Sequence, residues 1–332
     1  MAIETPYLLF LGDASDQLAA KVALGISHWR PGNCVGQLRL PGCQADCGLE
    51  DMSIKQAVRA GARTMVVGVA NRGGVIPENW RSVLREALEA GMHLAAGLHN
   101  KLADIPELVE TAKARGLELH DVRHPRQSFE VGNGKPRQGK RLLPVGTDCS
   151  CGKMYTALAI EHELKKRKVP VDFRATGQTG ILIDGRGVAV DAVVSDFLSG
   201  AVEWLAPEST PDHWDIIEGQ GSLFHPSFAG VSAGLLHGAQ PDFLVLCHEP
   251  TRTHMRGLPH YPIPDIRECM DLNLQLARLT SPRVRFAGIA VNTAALPDDQ
   301  AREYLEKLEA THQLPAVDPY RTGTSPIVDA IL

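Results

Sequence analysis

The chain has no apolar run long enough to cross a bilayer. Its first residues, Met1-Ala2-Ile3-Glu4-Thr5-Pro6, lack the basic region, apolar core and small-residue cleavage site of an export signal. A cytoplasmic protein with no membrane partner is expected. It also lacks a basic surplus, since 34 Lys and Arg stand against 39 Asp and Glu, a formal charge of −5. Binding along a phosphate backbone needs a concentrated basic face, so no nucleic-acid partner is expected. The short basic runs 165–168 and 135–141 read instead as a solvated helix end and a linker. The seven cysteines are odd in number and show no paired CxxC spacing. That argues against a disulfide framework, and it leaves Cys34, Cys43 and Cys47, like Cys149 and Cys151, without the further ligands a zinc site needs. No metal site is expected. A GxGxxG fingerprint and internal repeats are absent as well.

What the chain does have is 332 residues, 44% of them apolar, with 31 glycines, the composition of α/β proteins and enough length for two domains. Apolar stretches at 7–12, 64–69, 92–96 and 117–121 alternate with helical patterns at 15–26, 53–60, 77–90 and 105–115. This alternation predicts a parallel sheet with helices on its faces. The Gly-, Pro- and Cys-rich piece 34–51 reads as irregular. Polar loops at Asn71-Arg72-Gly73-Gly74 and His99-Asn100-Lys101 follow strands, at the edge where such sheets bind ligands. Polar sequence at 126–140 breaks the pattern and is placed as a linker between a first domain, 1–125, and a second, 141–332. The second half carries a strand through Leu142 and Leu143, further strands at 169–175, from Trp214, at 243–247 and at 284–292, and helices over 190–203 and 266–279. A second parallel α/β sheet follows, and a protein of this build is expected to be a homo-oligomer.

The most specific stretch is Gly146-Thr147-Asp148-Cys149-Ser150-Cys151-Gly152-Lys153-Met154-Tyr155, between that first strand and a helical pattern beginning at Thr156. Strand, glycine-flanked loop and Gly-Lys before a helix is the arrangement in which backbone N–H groups and a helix N-terminus converge on phosphate, with a lysine adding charge. A phosphate-bearing ligand is the expectation. Five residues separate the two glycines instead of four, and Met154 stands where a Ser or Thr hydroxyl holds Mg²⁺. A thioether is a poor ligand for a hard cation, so the loop reads as a phosphate holder with doubtful competence to split a nucleoside triphosphate. Cys149 and Cys151 lie near a helix N-terminus, which lowers a thiol's pKa, yet small residues that let the loop close on phosphate explain them better.

Glu218 ends a strand in Ile217-Glu218-Gly219-Gln220-Gly221, a position suited to a metal ligand, a general base or an orienting group. His225 follows closely and is a candidate acid/base partner. Arg174, Arg186, Arg252 and Arg256 fall near strand ends, where one or two guanidiniums would hold the carboxylates of an acidic substrate. Asp191 and Asp196 are candidates for an ammonium group.

The loop resembles the Gly-Thr-Asp-Thr-x-x-Gly-Lys-Thr loop of dethiobiotin synthetases, which shares the five-residue spacing. Ile217 to Gly221 resembles their Val-Glu-Gly-Ala-Gly strand end, and Ala290-Val291-Asn292 their adenine-side Val-x-Asn, which implies a nucleotide contact for Asn292. The whole chain resembles something narrower. Gly146 to Met154, Phe173-Arg174-Ala175-Thr176-Gly177-Gln178-Thr179-Gly180, Glu218 through Pro226 and Cys247-His248-Glu249-Pro250-Thr251-Arg252 are together similar to a bacterial family long known only as a domain of unknown function. That resemblance implies a Rossmann-like first domain, a P-loop NTPase-like second domain, and D-glutamate N-acetyltransferase activity using acetyl-CoA. Under it, Gly146 to Tyr155 and Asn292 would hold the cosubstrate, Glu218 or His225 would take the proton, and Arg174, Asp196 and Arg252 would contact the acidic D-amino acid. The alternatives are an ATP/Mg²⁺-dependent ligase or kinase of dethiobiotin-synthetase type and a non-catalytic nucleotide sensor.

Overall fold

The computed structural model describes residues 2–70 and 73–332; Asn71 and Arg72 of the first polar loop lie outside them. The chain forms two compact units, one from Met1–Arg126 with Gly177–Ala192 and one from Gln127–Thr176 with Val193–Leu332.

In the first unit, strands β1 (Tyr7–Gly12), β2 (Cys34–Arg39), β3 (Thr64–Val67), β4 (His93–Ala96) and β5 (Leu119–Asp121) alternate with helices α1 (Lys21–Trp29), α2 (Ile54–Arg59), α3 (Glu78–Glu89) and α4 (Pro106–Arg115). All pairings are parallel, in the order β2-β1-β3-β4-β5, the doubly wound pattern whose switch point lies between β1 and β3. Every residue of β1 is buried, as a central strand covered on both faces requires. α2 starts where Ser53 and Gln56 form a reciprocal capping box. The piece expected to be irregular contains β2, whose Val35-Gly36-Gln37-Leu38 core is too short and glycine-diluted to show a period.

The second unit holds β6 (Lys140–Gly146), α5 (Lys153–Lys166), β7 (Val171–Arg174) and, after the excursion described below, α7 (Ser195–Leu205), β8 (Trp214–Ile217), α8 (Ala229–Ala239) and β9 (Phe243–His248). There follow the antiparallel hairpin β10 (His254–Met255) and β11 (Leu258–Pro262), then α9 (Ile266–Ala277), β12 (Arg285–Val291), α10 (Asp298–His312), β13 (Ala316–Val317) and α11 (Ser325–Asp329). Its six-stranded sheet is parallel in the order β13-β12-β9-β6-β8-β7. β6 is therefore central, and its end is the switch point.

The excursion is α6 (Gln178–Asp184), which packs with the first unit: Gly25 of α1 faces Ile183, and Ile3 N–H donates to the Gly185 carbonyl at 2.7 Å. Seven residues between Gly177 and Gly185, the latter at φ 82°, are too few to show a helical period. The helix expected over 190–203 begins at Ser195 instead, because Val194 ahead of it is extended; a 3₁₀ turn covers Val190–Ala192. Residues 127–139 lie against α7, where the Glu203 carboxylate accepts from Asn133 and Gly134 N–H and Phe129 packs edge-on to Trp204. Among the described residues no helix is long and apolar enough to cross a membrane.

Candidate functional site

β6 delivers Gly146 beside Cys247 of β9, and the loop 147–152 then turns into α5. Ser150 at φ 51° and Gly152 at φ 108° both take the left-handed conformation, which curls the backbone tightly enough to form an anion cradle. Lys153, the first residue of α5, is 5% exposed. Its ammonium folds back over the loop and donates to the Asp148 carbonyl at 2.7 Å. Cys151 fills the interior, with Sγ 3.1 Å from the Asp148 carbonyl and 3.4 Å from that of Cys247. Burial raises the Cys149 thiol above its usual range, against the opposing pull of Lys153 and Arg252. Cys151 shapes the loop from inside.

A second layer grips the loop from the segment after β9. Asp148, fully buried, accepts from its neighbour Cys149 N–H at 2.6 Å, from Arg252 Nη1 at 2.8 Å and from Arg256 N–H at 2.9 Å. Arg252 also donates to the Cys149 and Ser150 carbonyls and, through Nε, to Glu249. Its guanidinium is thus engaged by the loop and by two carboxylates. Arg174 is engaged likewise: Nε lies 2.6 Å from Asp215 and Nη2 3.1 Å from Asp172.

Glu218 leaves β8 next to the loop and is 4% exposed. Its Oε2 accepts from Thr176 N–H at 2.9 Å, and its carbonyl accepts from the Thr176 hydroxyl at 2.6 Å. Gln220 donates to that same hydroxyl. Gly219 explains why the sequence needs glycine here, because a Cβ would sit 1.8 Å from the Pro144 carbonyl oxygen of β6 and 3.0 Å from the Lys153 Cδ. Gly219→Ala is accordingly expected to cost about 3 kcal/mol or more, since the clash is with backbone. A urea unfolding midpoint like that of the wild type would count against this close approach.

His225 is buried, stacks on Phe228 with ring centroids 4.5 Å apart and accepts the Ser227 N–H on Nδ1 at 3.2 Å. A ring nitrogen of His225, the Cys149 sulphur and an Asp148 carboxylate oxygen lie within 4.8 Å of one another. Glu218 and His225 both stand beside this loop. The second such group, Asp172, His213 and Asp215, lies with Arg174. In both groups an arginine is already paired with the carboxylates.

The remaining candidates are more scattered. Met154 is half-buried and Tyr155 exposed in the first turn of α5; Asn292 is exposed just past β12, with its side chain accepting from Ala294 N–H. Asp196 is exposed in the first turn of α7. One further residue, given no role above, reaches the loop. His248, buried at the end of β9, places Nδ1 3.1 Å from the Thr147 hydroxyl, and burial lowers its pKa so that it is neutral near pH 7. The local signals for His248 were its place at the carboxyl end of an apolar strand and within the stretch Cys247 to Arg252 that carries the family resemblance.

Residues 130–328 match the family described as a domain of unknown function (DUF1611_C), P-loop domain, and residues 38–125 its Rossmann-like DUF1611_N counterpart. A protein of Tritonibacter scottomollicae named D-glutamate N-acetyltransferase is 56% identical over 329 residues, 99% of each chain. A Pseudoalteromonas protein of the same name is 52% identical over 328 residues, again 99% of each. A crystal structure of a DUF1611 family protein from Anabaena variabilis, 33% identical, aligns with a TM-score of 0.84 over 99% of both chains.

Proposed function

The chain belongs to the DUF1611 family, and from that membership we propose that it is a D-glutamate N-acetyltransferase that takes its acetyl group from acetyl-CoA. The observation that carries the reading is identity above half, along essentially the whole chain, with two proteins bearing that name. The site supports it chemically. Coenzyme A brings a diphosphate and a 3′-phosphate on adenosine, for which a curled loop, a helix N-terminus and a buried lysine are suited. Met154 at the position of the magnesium hydroxyl disfavours an ATP-splitting role and costs a docking role nothing.

Acetyl transfer needs a neutral substrate amine, its alignment with the thioester carbonyl, and a donor where negative charge develops on oxygen. Glu218 is assigned the proton: it is a carboxylate fixed at a strand end by Thr176, one residue before Gly219, which closes on the loop lysine's stem. His225 takes a different part. Because Ser227 N–H donates to Nδ1, the tautomer that fits this bond carries its proton on Nε2, and in that form the ring is a hydrogen-bond donor. Its role is to stabilise the carbonyl oxygen as the amine attacks. Lys153 exchanges the Asp148 carbonyl for a phosphate oxygen when the donor binds.

The direct test is thiol release. Mixing the purified chain with acetyl-CoA and D-glutamate is expected to liberate free coenzyme A continuously, with much less from L-glutamate. If no amino acid elicits thiol release, the assignment fails.

A further inference from the structure

Three cations, Lys153, Arg252 and Arg256, bond to the loop; Glu218 stands next to it, and Asp148 and Glu249 are the two carboxylates bonded to Arg252. Arg252 bridges both carboxylates. Arg256 bonds to Asp148 through its backbone N–H alone; its guanidinium reaches the crest of the loop, where Nη1 donates to the Ser150 hydroxyl at 2.9 Å. Among the described residues it has no carboxylate partner, and the side chain is exposed. Ser150 itself is held at φ 51°, a conformation unusual for serine. Arg256 sits between β10 and the Gly257 turn, φ 79°, of a hairpin whose only strand pairing is within itself. The hairpin is anchored to the loop by Arg252 and Arg256.

We propose that Arg256 is the second phosphate anchor of the acyl donor, binding a phosphate group beyond the one that Lys153 and the loop cradle. The proposal rests on the reading that the loop holds a phosphorylated acyl carrier. A loop without a magnesium hydroxyl must neutralise its ligand's several negative charges with fixed cations, and a guanidinium held at one nitrogen keeps the remaining N–H groups of its planar fork for oxyanions. Coenzyme A, with two separate phosphorylated positions, is a ligand for which one lysine is insufficient.

Titration calorimetry with coenzyme A, and inhibition of the acetyl transfer by inorganic pyrophosphate, test this with Arg256→Ala, Arg256→Lys, Ser150→Ala and Lys153→Ala. Arg256→Ala is expected to weaken coenzyme A about tenfold and to raise the pyrophosphate inhibition constant in parallel, with Arg256→Lys in between. Ser150→Ala, which keeps the cation and removes only its hydroxyl partner, is expected to have the smaller effect. An equal loss in Ser150→Ala would mean that Arg256 merely orders the loop, and it would overturn the proposal. So would unchanged affinity in Arg256→Ala beside a large loss in Lys153→Ala, which would leave the loop as the donor site. If Lys153→Ala also binds coenzyme A normally, the loop reading itself falls.

Discussion

Lys153→Ala is expected to weaken acetyl-CoA by about 100-fold while leaving the fold intact. The ammonium is almost fully buried and has the Asp148 carbonyl as its closest partner. A phosphate arriving at the loop gains a charge-assisted hydrogen bond in a low-dielectric setting, an interaction whose loss costs about 2–5 kcal/mol. The loop's curl does not depend on the ammonium, because Asp148 is tied by Arg252 and Arg256 and Thr147 by His248. The loss should therefore appear in KM for acetyl-CoA, with unfolding temperature and KM for D-glutamate nearly unmoved. Wild-type acetyl-CoA affinity in this variant would remove the loop from the donor site.

Glu218→Gln is expected to lower kcat by 10²- to 10⁴-fold, the range of a lost general base. The amide keeps the volume and accepts the Thr176 N–H through its oxygen, so a loss of that size would reflect chemistry and not collapse. His225 should respond differently at the same site. His225→Gln retains an N–H donor and cannot take a proton; it is expected to stay within about tenfold of wild type, whereas His225→Ala loses the donor and falls about 10²-fold or more. The contrast separates a donor from a base. Equal, severe losses in His225→Gln and His225→Ala, beside a near-normal Glu218→Gln, would exchange the two roles.

Much of the site could be read directly along the chain, and the reason is local. A phosphate loop is one continuous segment whose glycines, lysine and flanking strand and helix stand in fixed order, so 146–153 announced its geometry without any long-range information. Glu218 was legible through the same logic of strand ends. The arginines were not. Arg174, Arg252 and Arg256 look alike as cations near strand ends, and only long-range pairing, Arg174 with Asp215 and Arg252 with Asp148, distinguishes two engaged side chains from one presented at the loop crest. His248 was hidden for the same reason, since its partner Thr147 is remote in sequence and adjacent only because β9 pairs with β6.

By itself, then, the sequence determined the α/β class, the two sheets, the phosphate loop and its missing magnesium hydroxyl, because period, glycine placement and side-chain chemistry are properties of short segments. The tertiary structure decided which strand is central, that 177–192 packs with the first unit, that Gly219 must lack a Cβ against β6, and which guanidinium is left to meet an anion. Those outcomes depend on what each backbone and charge meets across the fold, where burial makes a bonded carboxylate or a 1.8 Å approach decisive.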